Sequence, residues 1–429
     1  MAYGSAAERE VLYQNEATFG VRPAAWTSGT PFLCVEPSAE GMQQATLENM
    51  NYRQRALATR AKVLGLSNGT CTFKVYAHGR STGVADDARA TITTPNFPIA
   101  HFLQNAWGGV RLGYRTIIAS GSAAAPVVEA ADGAQYAAGD WGFFVDVSVD
   151  ANVGYFRKIA SISTDTFTMW TGHDLPFTPA ASDIVGPVIQ CYPHTDRLKD
   201  PNHASHLTQS FLFMGDLSED AQEGVGVKLN LTAIEGIAAG EAALFTFEGM
   251  VTQIDNEGVT QPAAGTPLGD APVVTSTGDD TFVYIVPVAS TLAAVEAQTV
   301  SVTPGIASQP IPGVGGLEGR HGYTMVAGSA DEMMLEVVVD YDDSWNTGFA
   351  AGTRYQILIQ TGTQPGRAWA AFFANCELAE DPQRGAATDL STSVLRFRPL
   401  ESDVATAATG DDLEKVRAKG ELLFSCVHS

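Results

Sequence analysis

The most regular alternation of apolar and polar residues runs from Glu332 to Tyr341. Met333, Leu335, Val337, Val339 and Tyr341 point one way, and Glu332, Met334, Glu336, Val338 and Asp340 the other. The pattern predicts a strand with a continuous apolar face, and it puts three carboxylates, Glu332, Glu336 and Asp340, on the opposite face. Arg354 to Thr361 repeats it, with Tyr355, Ile357 and Ile359 inward and Arg354, Gln356 and Gln360 outward. A period of two implies one buried and one wet face. Trp369 to Leu378 and Leu395 to Pro399 continue the series. Ser205 to Met214, Gly226 to Ile234, Ala242 to Thr252, Phe282 to Val288 and Thr299 to Thr303 precede it. The stretches 255–280 and 304–320, rich in Pro and Gly, read as long loops, and Asp411 to Lys419 as a short charged turn or helix.

One helix stands out. Within Phe97 to Trp107, residues Ile99, Phe102, Leu103 and Ala106 share a face, Asn96 can cap the start, Pro98 suits the first turn and Gly108-Gly109 ends it. A lone amphipathic helix among strands predicts a lid over a sheet. Residues 116–193 read as a small β-barrel of four or five short strands separated by Gly, Asp and Pro turns. Residues 1–40 have little periodicity and read either as an arm ordered by a neighbour or as a frayed terminus. Met42 to Leu64 is ambiguous: Leu57, Ala61 and Leu64 suit a helix face, while Gly65 and Asn68-Gly69 suggest a turn before a strand at Cys71.

These segments predict a mainly β chain divided into an N-terminal arm (1–40), a first part of the main domain (41–115), the inserted barrel (116–193) and a second part (194–429). Length alone suggests about two or three domains. No apolar run is long enough to span a membrane, and the N-terminus does not read as a signal peptide. Five widely spaced Cys without a CxxC pair argue for a reduced site of synthesis, against a disulfide framework.

Charge changes the picture. Against 48 Asp and Glu stand 25 Lys and Arg, a formal charge of -23, and from Leu229 to Glu318 there is no Lys or Arg while ten acids occur. Such a surface repels phosphate and excludes an ordinary nucleic-acid binder. Candidate chemistry is sparse. Gly65-Leu66-Ser67-Asn68-Gly69 matches the nucleophile-elbow pattern, the basis of a hydrolase reading, but lacks the strand before and helix after that the elbow needs. His194, His203 and His206 near Asp196 and Asp200 have workable metal-ligand spacing, yet His and Asp are common in such polar connections. Gly224-Val-Gly226 and Gly313-Val-Gly315-Gly316 lack the third dinucleotide glycine. Asp86-Asp87, Asp279-Asp280, Asp342-Asp343 and Asp411-Asp412 read as solvated loop acids. The expectation is no enzyme, no cofactor and no metal.

Three blocks of sequence carry a resemblance. MLEVVVDYDDSWNTGF, GTRYQILIQTG and AFFANCELAEDPQRG, closed by VLRFRP, resemble the last strands of siphophage-type major tail tube proteins. YGSAAEREVLYQNEATFGVRPA resembles the N-terminal arm of that family, and SFLFMGDLSEDAQEGVGVKLNLTAIEGIAAGEAALFTFEG its strands before the long loop. The likeness is one of element order over the outer two thirds of the chain, and residues 116–193 depart from it as an insertion. It implies a tail-tube-like β-sandwich or barrel with one flanking helix. It also implies self-association into stacked hexameric rings, a tape-measure protein and other tail proteins as partners, a place in the virion tail, and DNA passing through during ejection without specific binding. Glu332, Glu336 and Asp340 are then the candidate lumen-facing row; the bland alternative is the wet outer face of a sandwich. A second reading is a virion decoration or receptor-binding protein whose barrel stacks sugar on Trp141, Trp170 or Tyr155.

Overall fold

Strands Ala297–Thr303, Met334–Asp340 and Ser391–Pro399 lie side by side and antiparallel, so that Val337 faces Val300 on one side and Leu395 on the other. The computed structural model describes residues 11–21, 26, 30–32, 34–47, 63–77, 90–91, 98–147, 153–193, 208–213, 222–255, 280–317, 320–327, 334–364, 366–386, 391–400 and 423–427. The chain is mainly β; the described residues place 19 strands in one large antiparallel sheet and 7 in a second. Alternation decides which side chains enter the core. Leu335, Val337 and Val339 are fully buried, while Glu336 is half-buried and Asp340 exposed. Val300, Val302, Leu395 and Phe397 of the neighbouring strands share their core, as do Phe245 and Phe247 from Leu244–Val251.

The expected helix spans Pro98–Trp107 (α1) and closes this core. Phe102 packs edge-on against Phe32, Phe73 and Phe247, with ring centroids 4.6, 5.1 and 5.5 Å away. Pairing of Gln209–Phe213 with Gln222–Ala238 stops at Val227, and α1 takes over the backbone left there. Asn105 Nδ2 donates to the Val227 carbonyl at 3.1 Å, and its Oδ1 accepts the Leu229 N–H at 2.8 Å. The buried Lys228 ammonium donates to the Asn105 carbonyl in the last turn of α1, where the helix dipole favours a cation. A second helix, Asp343–Ala350 (α2), follows Met334–Asp340. Asp342, read from sequence as a loop acid, caps it by accepting the Ser344 N–H at 2.8 Å.

The smaller sheet comprises Ala90–Thr91, Tyr114–Ser122, Ala125–Val128, Trp141–Val145, Gly154–Ser163, Thr166–Met169 and Ile184–Gly186. It has its own core of Ile118, Val128, Tyr136, Phe144, Ile159 and Phe167. The last strand of this smaller sheet in chain order is Ile184–Gly186. Val188–Pro193 pairs with Gly108–Arg111 and Leu423–Val427 of the large sheet, because Ile189 and Cys191 alternate into the main core. Entry and exit of the insertion cross at Gly113, where a Cβ would stand 2.6 Å from Val188 N and O, so only glycine fits.

The smaller sheet sits on the outside of Tyr355–Thr361. Trp141, Phe143 and Phe156 pack against Tyr284, Leu358 and Phe372 in a separate cluster. This overturns the expected wet face there: all seven residues of Tyr355–Thr361 are buried, Gln356 and Gln360 included. Gln360 is satisfied across the junction, its Nε2 donating to Gly154 O at 2.8 Å and its Oε1 accepting Phe156 N–H at 3.0 Å.

Three other expectations change. Within the N-terminal segment, Val11–Asn15 is held inside the chain's own sheet between Gln209–Phe213 and Thr30–Phe32, with Val11, Tyr13 and Phe32 in the core. The ambiguous 42–64 stretch resolves, where described, into Val35–Leu47 and Val63–Tyr76, an antiparallel pair. The expected 304–320 loop contains the strand Ile306–Leu317, paired with Arg320–Ala327. Pro310 and Pro312 are tolerated because each strand of this two-stranded sheet has one ladder only. Tyr323 anchors it, its hydroxyl 2.9 Å from Thr252 Oγ1 and 3.2 Å from Gly226 O. Asn96 and the stretches 256–279 and 411–419 lie outside the described residues.

Candidate functional surface

Where the small sheet does not cover it, the side of the large sheet away from the core carries polar residues in register. In register, Thr72 lies beside Glu248 and Glu248 beside Asn230; farther round, Ser301 lies beside Glu336 and Glu336 beside Arg396. Glu336 and Asp340, two members of the predicted acidic row, project onto this face; Glu332 lies outside the described residues. The row is not a bare line of carboxylates. Arg396 Nε meets Glu336 Oε2 at 2.9 Å and its Nη1 meets Glu380 Oε1 at 2.7 Å. Gln298 Nε2 donates to Asp340 Oδ1 at 3.2 Å. Glu377 is gripped by both Arg398 and Arg354. Hydrogen bonding from Arg398, helped by the charge of Arg354, holds its carboxyl below the usual range against the opposing push of partial burial.

The polar face therefore has two characters. Around Met334–Asp340 and Ser391–Pro399 it is a lattice of both signs. From Leu229 through Leu244–Val251, within the stretch that has no Lys or Arg, Glu235 and Glu248 stand exposed. At the far side Lys74 Nζ pairs with Glu36 Oε2 at 2.8 Å. Sequence reasoning missed the arginines of this lattice. Their signal is the alternation in Leu395, Arg396, Phe397 and Arg398, the same period that reveals the acidic row.

The remaining candidates separate by position. Ser67 lies inside strand Val63–Tyr76, opposite Gln44, rather than on the strand-to-helix elbow a nucleophile would need. Gly224 and Gly226 lie within Gln222–Ala238, and Gly313, Gly315 and Gly316 within Ile306–Leu317. His194, Asp196, Asp200, His203 and His206 lie outside the described residues. Among the described residues no group of three or more His, Cys, Asp or Glu is placed to hold a metal. Of the aromatic residues considered for sugar stacking, Trp141 is buried against His173 and Phe372. Trp170 is half-buried with the Lys158 ammonium 4.1 Å from its centroid, and Tyr155 lies against Phe177 and Phe282.

No helix among the described residues is long and apolar enough to cross a membrane. No protein-family model matches the chain, and no curated protein matches it.

Proposed function

We propose that this chain is a structural protein, a tail tube subunit of a phage virion whose copies close side by side into hexameric rings that stack into a channel for DNA. The observation that carries the reading is the edge at Val35–Leu47. Among the described residues, this strand of 13 residues pairs along one side only, with Val63–Tyr76. A long strand with one unused row of N–H and C=O groups is a template for another chain, and closure into a ring satisfies it. The resemblance in element order supplies the hexameric arrangement, the tape-measure protein and the other tail partners.

Charge supports the same reading. A wall carrying acids and ion-paired arginines offers passing phosphates little to grip. At physiological salt repulsion acts only within about 8 Å of it. It lubricates transit and does not drive it. Light scattering of the purified full chain over a hundredfold concentration range tests the proposal. A mass that rises to multiples of the protomer is expected; a constant single-protomer mass would overturn it.

A further inference from the structure

The junction between the two sheets buries an uncommon set of charges. Lys158 is fully buried and Arg157 nearly so, on adjacent positions of Gly154–Ser163. The Lys158 ammonium lies 4.1 Å from the Trp170 ring centroid and 5.3 Å from that of Phe372, a residue of the large sheet. The Arg157 guanidinium lies 5.5 Å from the Tyr155 ring and 5.4 Å from the Tyr284 ring, and donates to the Phe156 and Asp174 carbonyls at 2.8 and 3.2 Å. Among them sits His173, fully buried, its ring edge-on to Trp141 at 5.4 Å and to Phe372 at 5.3 Å. Its Nδ1 accepts the Lys158 N–H at 3.4 Å, which makes that nitrogen unprotonated.

We propose that His173 makes the seating of the small sheet on the large sheet acid-sensitive, so that protonation of this ring releases the junction. The charged side chains facing it, Arg157 and Lys158, are both cationic. The neighbouring Asp174 is exposed to solvent. Gln356 of the large sheet, Trp141 and Phe372 are neutral. A proton on His173 would be a third positive charge in a dry space and would displace the Lys158 N–H from Nδ1. Burial first, then Arg157 and Lys158, hold the imidazole well below its ordinary range, with a smaller opposing contribution from Gln356.

The sign follows from linkage. A histidine whose titration is depressed when seated stabilises seating above the free value of about 6.5. That contribution is lost as pH falls below it, by up to about tenfold per pH unit. Most carboxylates titrate lower, and His173→Gln separates this ring from the other histidines among the chain's eight.

Three amides report the junction directly: Gly154 donates to Thr363 O at 2.8 Å, Phe156 to Gln360 Oε1 at 3.0 Å and Leu292 to Gly172 O at 3.0 Å. Their exchange in the full chain, corrected for intrinsic pH dependence, is measured from pH 7 to 5 with Val337 of the main core as an internal reference. Protection at the three sites is expected to fall about tenfold per unit below pH 6.5, with Val337 steady, and to stay level in His173→Gln. A level wild-type profile, or an equal slope in His173→Gln, overturns the proposal. Should that variant not fold, exchange of the His173 ring C–H in the wild-type chain decides: an inflection below the free value of about 6.5 supports it and one at or above that value refutes it.

Discussion

Arg396 stands directly opposite Glu336 on the adjacent strand, its Nε 2.9 Å from Glu336 Oε2, and reaches on to Glu380 with its Nη1. The pair is a cross-strand contact on a half-exposed face, so its contribution to stability is small and its contribution to local charge is large. Arg396→Gln is expected to lower unfolding stability by less than about 1 kcal/mol, and less still in high salt. Denaturant titration at two salt concentrations checks this; a loss above about 2 kcal/mol would mean that the lattice is cooperative.

Glu16 behaves differently because it is buried. Its Oε1 accepts from Ser210 Oγ at 2.6 Å and Gly226 N at 2.7 Å, and its Oε2 from Thr208 Oγ1 and Gly20 N, both at 2.7 Å. One carboxylate thus ties the N-terminal strand to Gln209–Phe213 and Gln222–Ala238. Glu16→Ala leaves two backbone and two hydroxyl donors without their acceptor and is expected to cost roughly 3 kcal/mol. Glu16→Gln, which keeps one acceptor oxygen, should lose less. Urea unfolding of both variants orders them, and equal losses would contradict the four-donor account.

Gln360 is the corresponding tie between the sheets. Gln360→Leu preserves the side chain's bulk and removes its bonds to Gly154 O, Gly362 O and Phe156 N–H. Amide exchange at Gly154 and Phe156 should accelerate by tenfold or more, while amides of Met334–Asp340 remain protected. Uniform acceleration across both sheets would show that the side chain supports the whole fold.

The thiols give an alkaline test. Burial pushes Cys34 and Cys71 up to about 12 and raises Cys191 and Cys376 further. A thiol raised in the folded state contributes stability that is present below its unfolded value, about 8.5, and is lost as pH climbs toward the folded one. Stability should therefore decline above about pH 9, and at pH 8 these four cysteines should react with a thiol reagent at least a hundredfold more slowly than in denaturant. Rapid labelling of Cys71 in the native chain would contradict its burial.

Where period and face agreed, local sequence was enough. Ile99, Phe102, Leu103 and Ala106 identify α1, and Leu335, Val337 and Val339 identify the core side of Met334–Asp340. Failures came where a distant segment rewrote the environment. Gln356 and Gln360 read as solvent-facing because nothing near them announces a sheet contributed by Trp141–Val145 and Gly154–Ser163. Gly65 and Asn68-Gly69 read as a turn, yet they lie inside Val63–Tyr76, where Asn68 pairs with Gln43 and Gly69 with Val251. Pro310 and Pro312 read as loop because a proline's compatibility with a strand depends on which edge is used. The acidic row was visible, but its neutralising Arg396 required the register between two strands some sixty residues apart.

The central claim is that the edge of Val35–Leu47, which pairs on one side only among the described residues, is completed by other copies of the chain. Electron microscopy of the purified protein at high concentration tests it most directly. Hollow rings or tubes with six-fold symmetry, with that strand at the contact between subunits, are the expected result. Isolated particles of one-protomer size, or rings in which that strand faces solvent, would contradict it.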